Sequence, residues 1–429
     1  MDSDEYSTSR VPPERSMPWW RIATINVLFS VSLPTLITGM DLANESSQAV
    51  FLSSILIGSL ILTVIGILTS IVGCRARFSS YMLARIAFGA KGSMLLNLAF
   101  AVSLIGWFGV NLNLFGDSIQ RLLQAQFNYH GPEWPSELVA GILITGTTLV
   151  GLKAINRLSA LVVPVLLLVC ALLLVKSLGH DSAAHLLARA PATGMSFGDA
   201  VSAIVGGYIV GAVIMPDTCR FIGPAHGAVW TAILTYFVSS AGIMIIGGLA
   251  ALALHRTEML DLMLAMGLGA AAFAIVIGGS WLLNALNLYS AALSVDAAIP
   301  RLSRTTTTVT CGTLGTLAAF LNILDHFLAF LFYLSIVFVP VASIIVIDFF
   351  WLRRKDYLVG DGQSRGIEPT ALVAWAVGAG MALLGSAGLL RLTGVAALDA
   401  LLVTALLYAL LRWRSRSRAY RAAPSRVDV

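Results

Sequence analysis

Trp107 and Asn111 stand four positions apart in the apolar stretch Ser103-Leu104-Ile105-Gly106-Trp107-Phe108-Gly109-Val110-Asn111, so on a helix a large flat ring and an amide share one face. Tyr208 directly follows the pair Gly206-Gly207, and Asn284 and Asn287 sit three positions apart in Trp281-Leu282-Leu283-Asn284-Ala285-Leu286-Asn287-Leu288-Tyr289. Aromatic faces attract a flat ring of almost any identity, and an asparagine amide presents a donor and an acceptor together, which is what a flat polar ligand needs. Catalytic signatures are missing: the sequence has no nucleotide-binding glycine loop ending in Lys-Ser/Thr, no zinc-protease helix motif and no serine nucleophile elbow. The four cysteines, Cys74, Cys170, Cys219 and Cys311, show neither paired nor metal-like spacing. The pattern points to binding without a chemical step, so neither an enzyme nor a metal or cofactor site is expected.

Lipid must hold these residues in place. Of 429 residues, 58% are apolar and only 11% charged, with a mean hydropathy of +0.86, too little charge to cover a soluble globule of this size. About twelve long apolar runs follow one another, each able to cross a hydrocarbon core roughly 30 Å thick. They cover 22–45, 51–73, 94–124, 136–152, 158–178, 197–221, 227–254, 264–297, 306–321, 325–347, 370–390 and 393–411, and are numbered spans 1 to 12 below. Long unbroken runs, in place of short alternating ones, predict an all-α integral membrane protein and exclude a transmembrane barrel. Residues 1–21 read as a disordered cytoplasmic tail without the apolar core of a signal peptide, and 412–429 as a basic cytoplasmic tail.

With the N-terminus placed in the cytoplasm, 22 of the 27 Lys and Arg fall on that side and five outside. Positive charge collects on the cytoplasmic face, so the split supports both this orientation and an even number of spans in an inner (plasma) membrane. The net charge of +5 then reflects topology and anionic lipid headgroups, with no nucleic-acid partner implied.

Two spans carry helix breakers. Span 1 contains Ser32-Leu33-Pro34-Thr35 and Gly39, and span 6 contains Gly206-Gly207, Gly211 and Pro216. Proline removes a main-chain donor and glycine weakens a helix, so both spans are expected to unwind near the membrane middle. Breaks five spans apart predict two inverted five-span repeats, 22–178 and 197–347, followed by spans 11 and 12 at 370–411, with a binding site between the breaks. A channel would want a ring of charges or a repeated filter sequence, and neither is present. Plainer readings stand beside each residue: packing for Trp107, interhelical hydrogen bonding for Asn284 and Asn287, and capping or ion pairing for Asp41 and for Asp217, which has Arg220 close behind.

Several segments together resemble the nucleobase:cation symporter family, closest to its cytosine permeases. They are Tyr81 to Ser93, Gly106-Trp107-Phe108-Gly109, Asp217-Thr218-Cys219-Arg220-Phe221, the stretch around Asn284, and Asp348-Phe349-Phe350 followed by Arg353-Arg354-Lys355-Asp356-Tyr357. The resemblance implies a LeuT-type fold and import of a nucleobase or related flat heterocycle by alternating access. It implies a ring stacked between Trp107 and Tyr208, with Gly206, Gly207 and Asn284 addressing the ring edge, Asn111 as a further polar contact and Asn287 less involved. Two positions that are serines in cytosine permeases are Gly207 and Val210 here, which puts cytosine itself in question. The positions that would supply span 8 oxygens to sodium fall at Gly279, Leu282 and Leu283, none with a side-chain oxygen, leaving only carbonyls near Val31 and Pro34. Sodium-independent transport is therefore expected, by proton coupling or by simple facilitated diffusion, with Asp41 and Asp217 as candidate titrating groups for a coupling proton. A membrane receptor that binds the same ligand without moving it, and carriers for hydantoin, allantoin, thiamine-precursor pyrimidines or amino acids, are the rival readings.

Overall fold

The computed structural model describes residues 9–150, 152–190, 194–254, 259–269, 274–299, 301–359 and 366–422. Arg256, Arg365, residues 1–8 and 423–429 of the tails, and the 270–273 part of span 8 lie outside the described residues. The described chain is helical, with one isolated bridge between Met17 and Ile222 and no strand. Helices satisfy every main-chain group within one segment, which hydrocarbon demands.

Helices fall on all the expected stretches, but among the described residues seven are long and apolar enough to cross a membrane unaided: Gln48–Ala76, Ser80–Gln124, Phe197–Cys219, Ala225–Leu254, Ala329–Leu352, Pro369–Ser386 and Ala396–Arg414. Trp134–Val150 and Pro164–His180 are apolar but shorter. Span 1 misses the length because it is two helices, Trp19–Ser30 and Leu33–Glu45, separated at Val31-Ser32. Ser32 is extended (φ −140°, ψ 160°) ahead of Pro34, whose ring cannot donate to the preceding turn.

Span 6 differs from expectation in where it breaks. The helix Phe197–Ile214 runs unbroken through Gly206-Gly207, and the interruption comes at Met215, before the short helix Pro216–Cys219. The glycines serve close packing instead: a Cβ at Gly206 would run into the main-chain carbonyl of Leu331 in span 10. Just ahead of span 3, Gly89 (φ 80°) bends the helix Ser80–Phe127 and sets its first turns at an angle to the part carrying Trp107.

Spans 1, 2, 6 and 7 pack on one another, as do spans 3, 4, 8 and 9, while span 10 lies against span 6 and the span 11 and 12 pair. Spans 1 and 7 meet backbone to backbone, since a Cβ at Gly39 or Gly247 would strike the main chain of Met244 or Leu36.

Residues 9–18 are docked, unlike the disordered tail expected over 1–21. The Arg77 guanidinium donates to the carbonyls of Val11 (2.7 Å) and Pro12 (3.0 Å), and the Met17 amide donates to the Phe221 carbonyl at 2.7 Å. Val11 is fully buried, and Pro12, extended at φ −69° and ψ 151°, leads into a 3-10 turn at Pro13–Arg15, both prolines limiting the entropy lost on docking. At the same membrane face a buried polar cluster joins three elements. Asp348 at the end of span 10 accepts from Arg353, from Tyr357 Oη (2.9 Å) and from Tyr408 Oη (2.9 Å) of the last helix. Arg412 pairs with Glu368 at 2.8 Å.

Candidate functional site

A cleft enclosing about 700 Å³ of atom-free space, its open mouth included, lies where the span 1 break meets spans 3, 6, 7 and 8. Trp107 and Leu104 come from span 3, Gly207, Tyr208, Val210 and Gly211 from span 6, and Leu283 and Asn287 from span 8. The break contributes Ser32, Pro34, Thr35 and Thr38. Unwound backbone in a bilayer is tolerated where it lines such a space.

Trp107 is held by edge-to-face contacts with Phe327 and Phe330 of span 10, at centroid separations of 5.9 and 5.5 Å and angles of 79° and 73°. Those contacts fix the plane of the indole. Gly106 makes room for Phe330, whose ring would stand 2.7 Å from a Cβ there. Tyr208 is directed toward Thr35 across the span 1 break.

The sequence-predicted residues divide into two layers. Trp107, Gly207 and Tyr208 line the cleft; Gly206, Asn111 and Asn284 do not. Gly206 faces Leu331, as described. Asn111 and Asn284 are fully buried behind the wall, where Asn111 Nδ2 donates to the Trp107 carbonyl at 2.8 Å and Asn284 Nδ2 to the Phe108 carbonyl at 3.1 Å. The Oδ1 of each is buried without a hydrogen-bond partner among the described residues. Asn287, which sequence reasoning ranked below Asn284, faces the cleft with 7% of its surface exposed. The three-residue offset leaves the two side chains only about 60° apart around the helix, so the packing of span 8 on span 3 alone shows which of them reaches the cleft.

Asp217 and Asp41 are not cleft residues. Asp217 Oδ1 accepts from the Ser80 amide (2.7 Å) and hydroxyl (2.9 Å), so it caps the start of the long span 3 helix. Asp41 lies on Leu33–Glu45, partly buried. In span 8, Leu282 is fully buried and Leu283 lines the cleft. Their neighbour Ser280 carries a buried hydroxyl with no partner among the described residues. Among those residues no cluster of His, Cys, Asp and Glu could hold a metal ion.

Sequence reasoning missed the contribution of span 7. Its helix passes through a π-helical segment, Ile233–Ser240, that places Thr235 and Tyr236 in the cleft wall. Ser30 Oγ donates to the Thr235 carbonyl at 2.9 Å, and Ser240 Oγ donates to it at 3.0 Å. A one-residue π insertion leaves no composition or periodicity signal strong enough to be read in advance.

A polytopic helical bundle with a central ring-lined cleft at a broken span has the build of a secondary transporter. The family of permeases for cytosine/purines, uracil, thiamine and allantoin matches residues 11–405, and the chain belongs to that family. It is a secondary transporter of the nucleobase class. The chain is 29% identical over 344 residues to the cytosine permease of Escherichia coli (strain K12), covering 80% of each protein. Its fold is that of Mhp1, a nucleobase-cation-symport-1 family transporter solved closed with bromovinylhydantoin bound, at a TM-score of 0.78 and 18% identity over 96% of both chains. A Na⁺-coupled sialic acid symporter superposes with a TM-score of 0.68 at 12% identity, covering 93% of this chain and 90% of that one.

Proposed function

We propose that this permease imports a nucleobase or related flat heterocycle across the inner membrane by alternating access, binding it in the cleft at the span 1 break. The observation that carries this reading is the placement of Trp107 and Tyr208 in the wall of a single cleft whose polar residues cluster at the break. The ring stacks on the Trp107 face that Phe327 and Phe330 leave open, with Tyr208 closing from span 6. Gly207 leaves space for the ring, and Gly206 lets span 10 approach closely behind it. Asn287 addresses the ring edge. Asn284 and Asn111 work from behind, holding the carbonyls next to Trp107, and their unpartnered Oδ1 atoms are available when span 3 moves.

The architecture in this reading is two inverted repeats, 22–178 and 197–347, with 370–411 added and tails 1–21 and 412–429 in the cytoplasm. Spans 1 and 2 packing with 6 and 7, and 3 and 4 with 8 and 9, support it. The protein performs no chemistry on its cargo, lipids surround it, and a proton is the coupling partner in place of sodium.

A thermal-shift screen of purified protein against nucleobases, allantoin, hydantoins and pyrimidine precursors tests the reading. A true ligand at 100 times its dissociation constant stabilises by about 2.7 kcal/mol, and Trp107→Ala abolishes the shift. Trp107→Phe is milder. Unchanged affinity in the alanine variant refutes stacking. A receptor would bind without accumulating the ligand in proteoliposomes.

A further inference from the structure

We propose that Tyr236 of span 7 is a specificity residue whose phenolic hydroxyl donates to an exocyclic oxo group on the edge of the transported heterocycle. The inference rests on the reading of the cleft as the heterocycle site and deepens it by naming the feature that the site selects.

Tyr236 is 4% exposed and lines the cleft. Its ring is wedged against span 2 and the span 6 break: a Cβ at Gly66 would lie 2.8 Å from the Tyr236 ring and 3.3 Å from Met215 Sδ. Its hydroxyl lies against span 6 beside Gly211, where an added Cβ would stand 3.3 Å from Oη. Gly211 is one helical turn beyond Gly207, so the hydroxyl meets the same face of span 6 that lines the cleft. The π segment makes this possible. With more residues per turn than an α-helix, the segment carries Tyr236 on its cleft side, and its Thr235 carbonyl accepts from Ser30 and Ser240.

Three other hydroxyls of the cleft, those of Ser30, Thr38 and Thr235, have spent their protons on main-chain carbonyls, and Tyr208 is turned to Thr35. Ser30 donates to the Thr235 carbonyl, Thr38 to the Pro34 carbonyl at 2.8 Å and Thr235 to the Thr231 carbonyl at 2.7 Å, while Ser32 and Thr35 are paired at 3.0 Å. Tyr236 Oη has no such partner among the described residues. A phenol is a better donor than acceptor, and a nearly buried donor left unpaired is costly. Asn287 offers a donor and an acceptor together, so it tolerates several edges; Tyr236 demands an acceptor. A site that hydrogen-bonds a substrate group rejects the analogue lacking it, because its own polar atom is then stranded.

The test measures dissociation constants for matched oxo and deoxo rings, cytosine with 4-aminopyrimidine and hypoxanthine with purine, on wild type, Tyr236→Phe, Gly211→Ala and Trp107→Ala. The tightest wild-type binder is expected to carry an oxo group. Tyr236→Phe weakens it about five- to tenfold, the loss of one neutral hydrogen bond, and leaves its deoxo partner unchanged or tighter. Gly211→Ala pushes the hydroxyl aside and gives the same selective loss, which keeps the test open should Tyr236→Phe fail to fold. Equal losses on both rings, no loss on either, or a tightest binder without an oxo group overturns the proposal. When Trp107→Ala still abolishes binding in those cases, the stacking reading survives. Wild-type protein that binds no ring in the panel removes that reading, and this inference falls with it.

Discussion

Alanine at Asn287 and at Asn284 separates the wall of the site from the layer behind it. Asn287 makes no hydrogen bond to another described residue, so Asn287→Ala strands nothing in the unliganded protein, and its stability stays within about 0.5 kcal/mol of wild type. Bound ligand loses one or two edge hydrogen bonds, about 1 to 3 kcal/mol, or roughly 5- to 150-fold in affinity. Asn284→Ala removes the 3.1 Å bond to the Phe108 carbonyl but also removes a buried Oδ1 that has no partner. The two changes oppose each other, and what remains is a small void between spans 3 and 8 that loosens Trp107. Its effect on affinity stays below about tenfold for a side chain outside the wall. Isothermal titration with a single heterocycle, alongside melting curves without ligand, measures both. A larger affinity loss at Asn284 than at Asn287 refutes the reasoning and means that the unpartnered Oδ1 of Asn284 reads the ring.

Gly206→Ala forces a methyl into the Leu331 carbonyl and destabilises the contact of spans 6 and 10 by about 2 kcal/mol or more, whereas Gly207→Ala meets only Leu331 methyls at 3.8 Å, preserves the melting temperature and weakens ligand binding by narrowing the cleft. Equal melting temperatures for the two would show that span 10 yields. Asp348→Asn leaves the mostly buried Arg353 without its carboxylate, and a loss of about 3 to 5 kcal/mol is expected as a sharp drop in melting temperature; a wild-type value would show that Glu368, 3.9 Å from the same guanidinium, takes over. Uptake into proteoliposomes is expected to persist when external sodium is replaced by choline at fixed pH. The Pro34 carbonyl is already engaged by Thr38, and Gly279, Leu282 and Leu283 offer no side-chain oxygen. A tenfold fall would overturn that expectation and direct attention to the unpartnered hydroxyl of Ser280.

The sequence by itself determined the membrane class, the succession of apolar helices and the break in span 1, and it singled out Trp107 and Tyr208, which line the cleft. Each depends on composition, on a proline's missing donor or on a local motif, all of which act over a few residues. Only the tertiary structure decided how the other elements are used. Gly206-Gly207 reads as a break, yet span 6 stays helical there, Gly206 admits the Leu331 main chain, and the helix yields at Met215-Pro216. Asn284 and Asn287 are equivalent as letters, and the packing of span 8 on span 3 buries one and turns the other to the cleft. Residues 9–18 read as a loose tail, yet distant carbonyls and the Arg77 guanidinium fasten them down. Tyr236 enters the site through a π segment that no periodicity announces. In each case the deciding contact comes from a partner far away in the chain, and a local pattern cannot encode which partner will arrive.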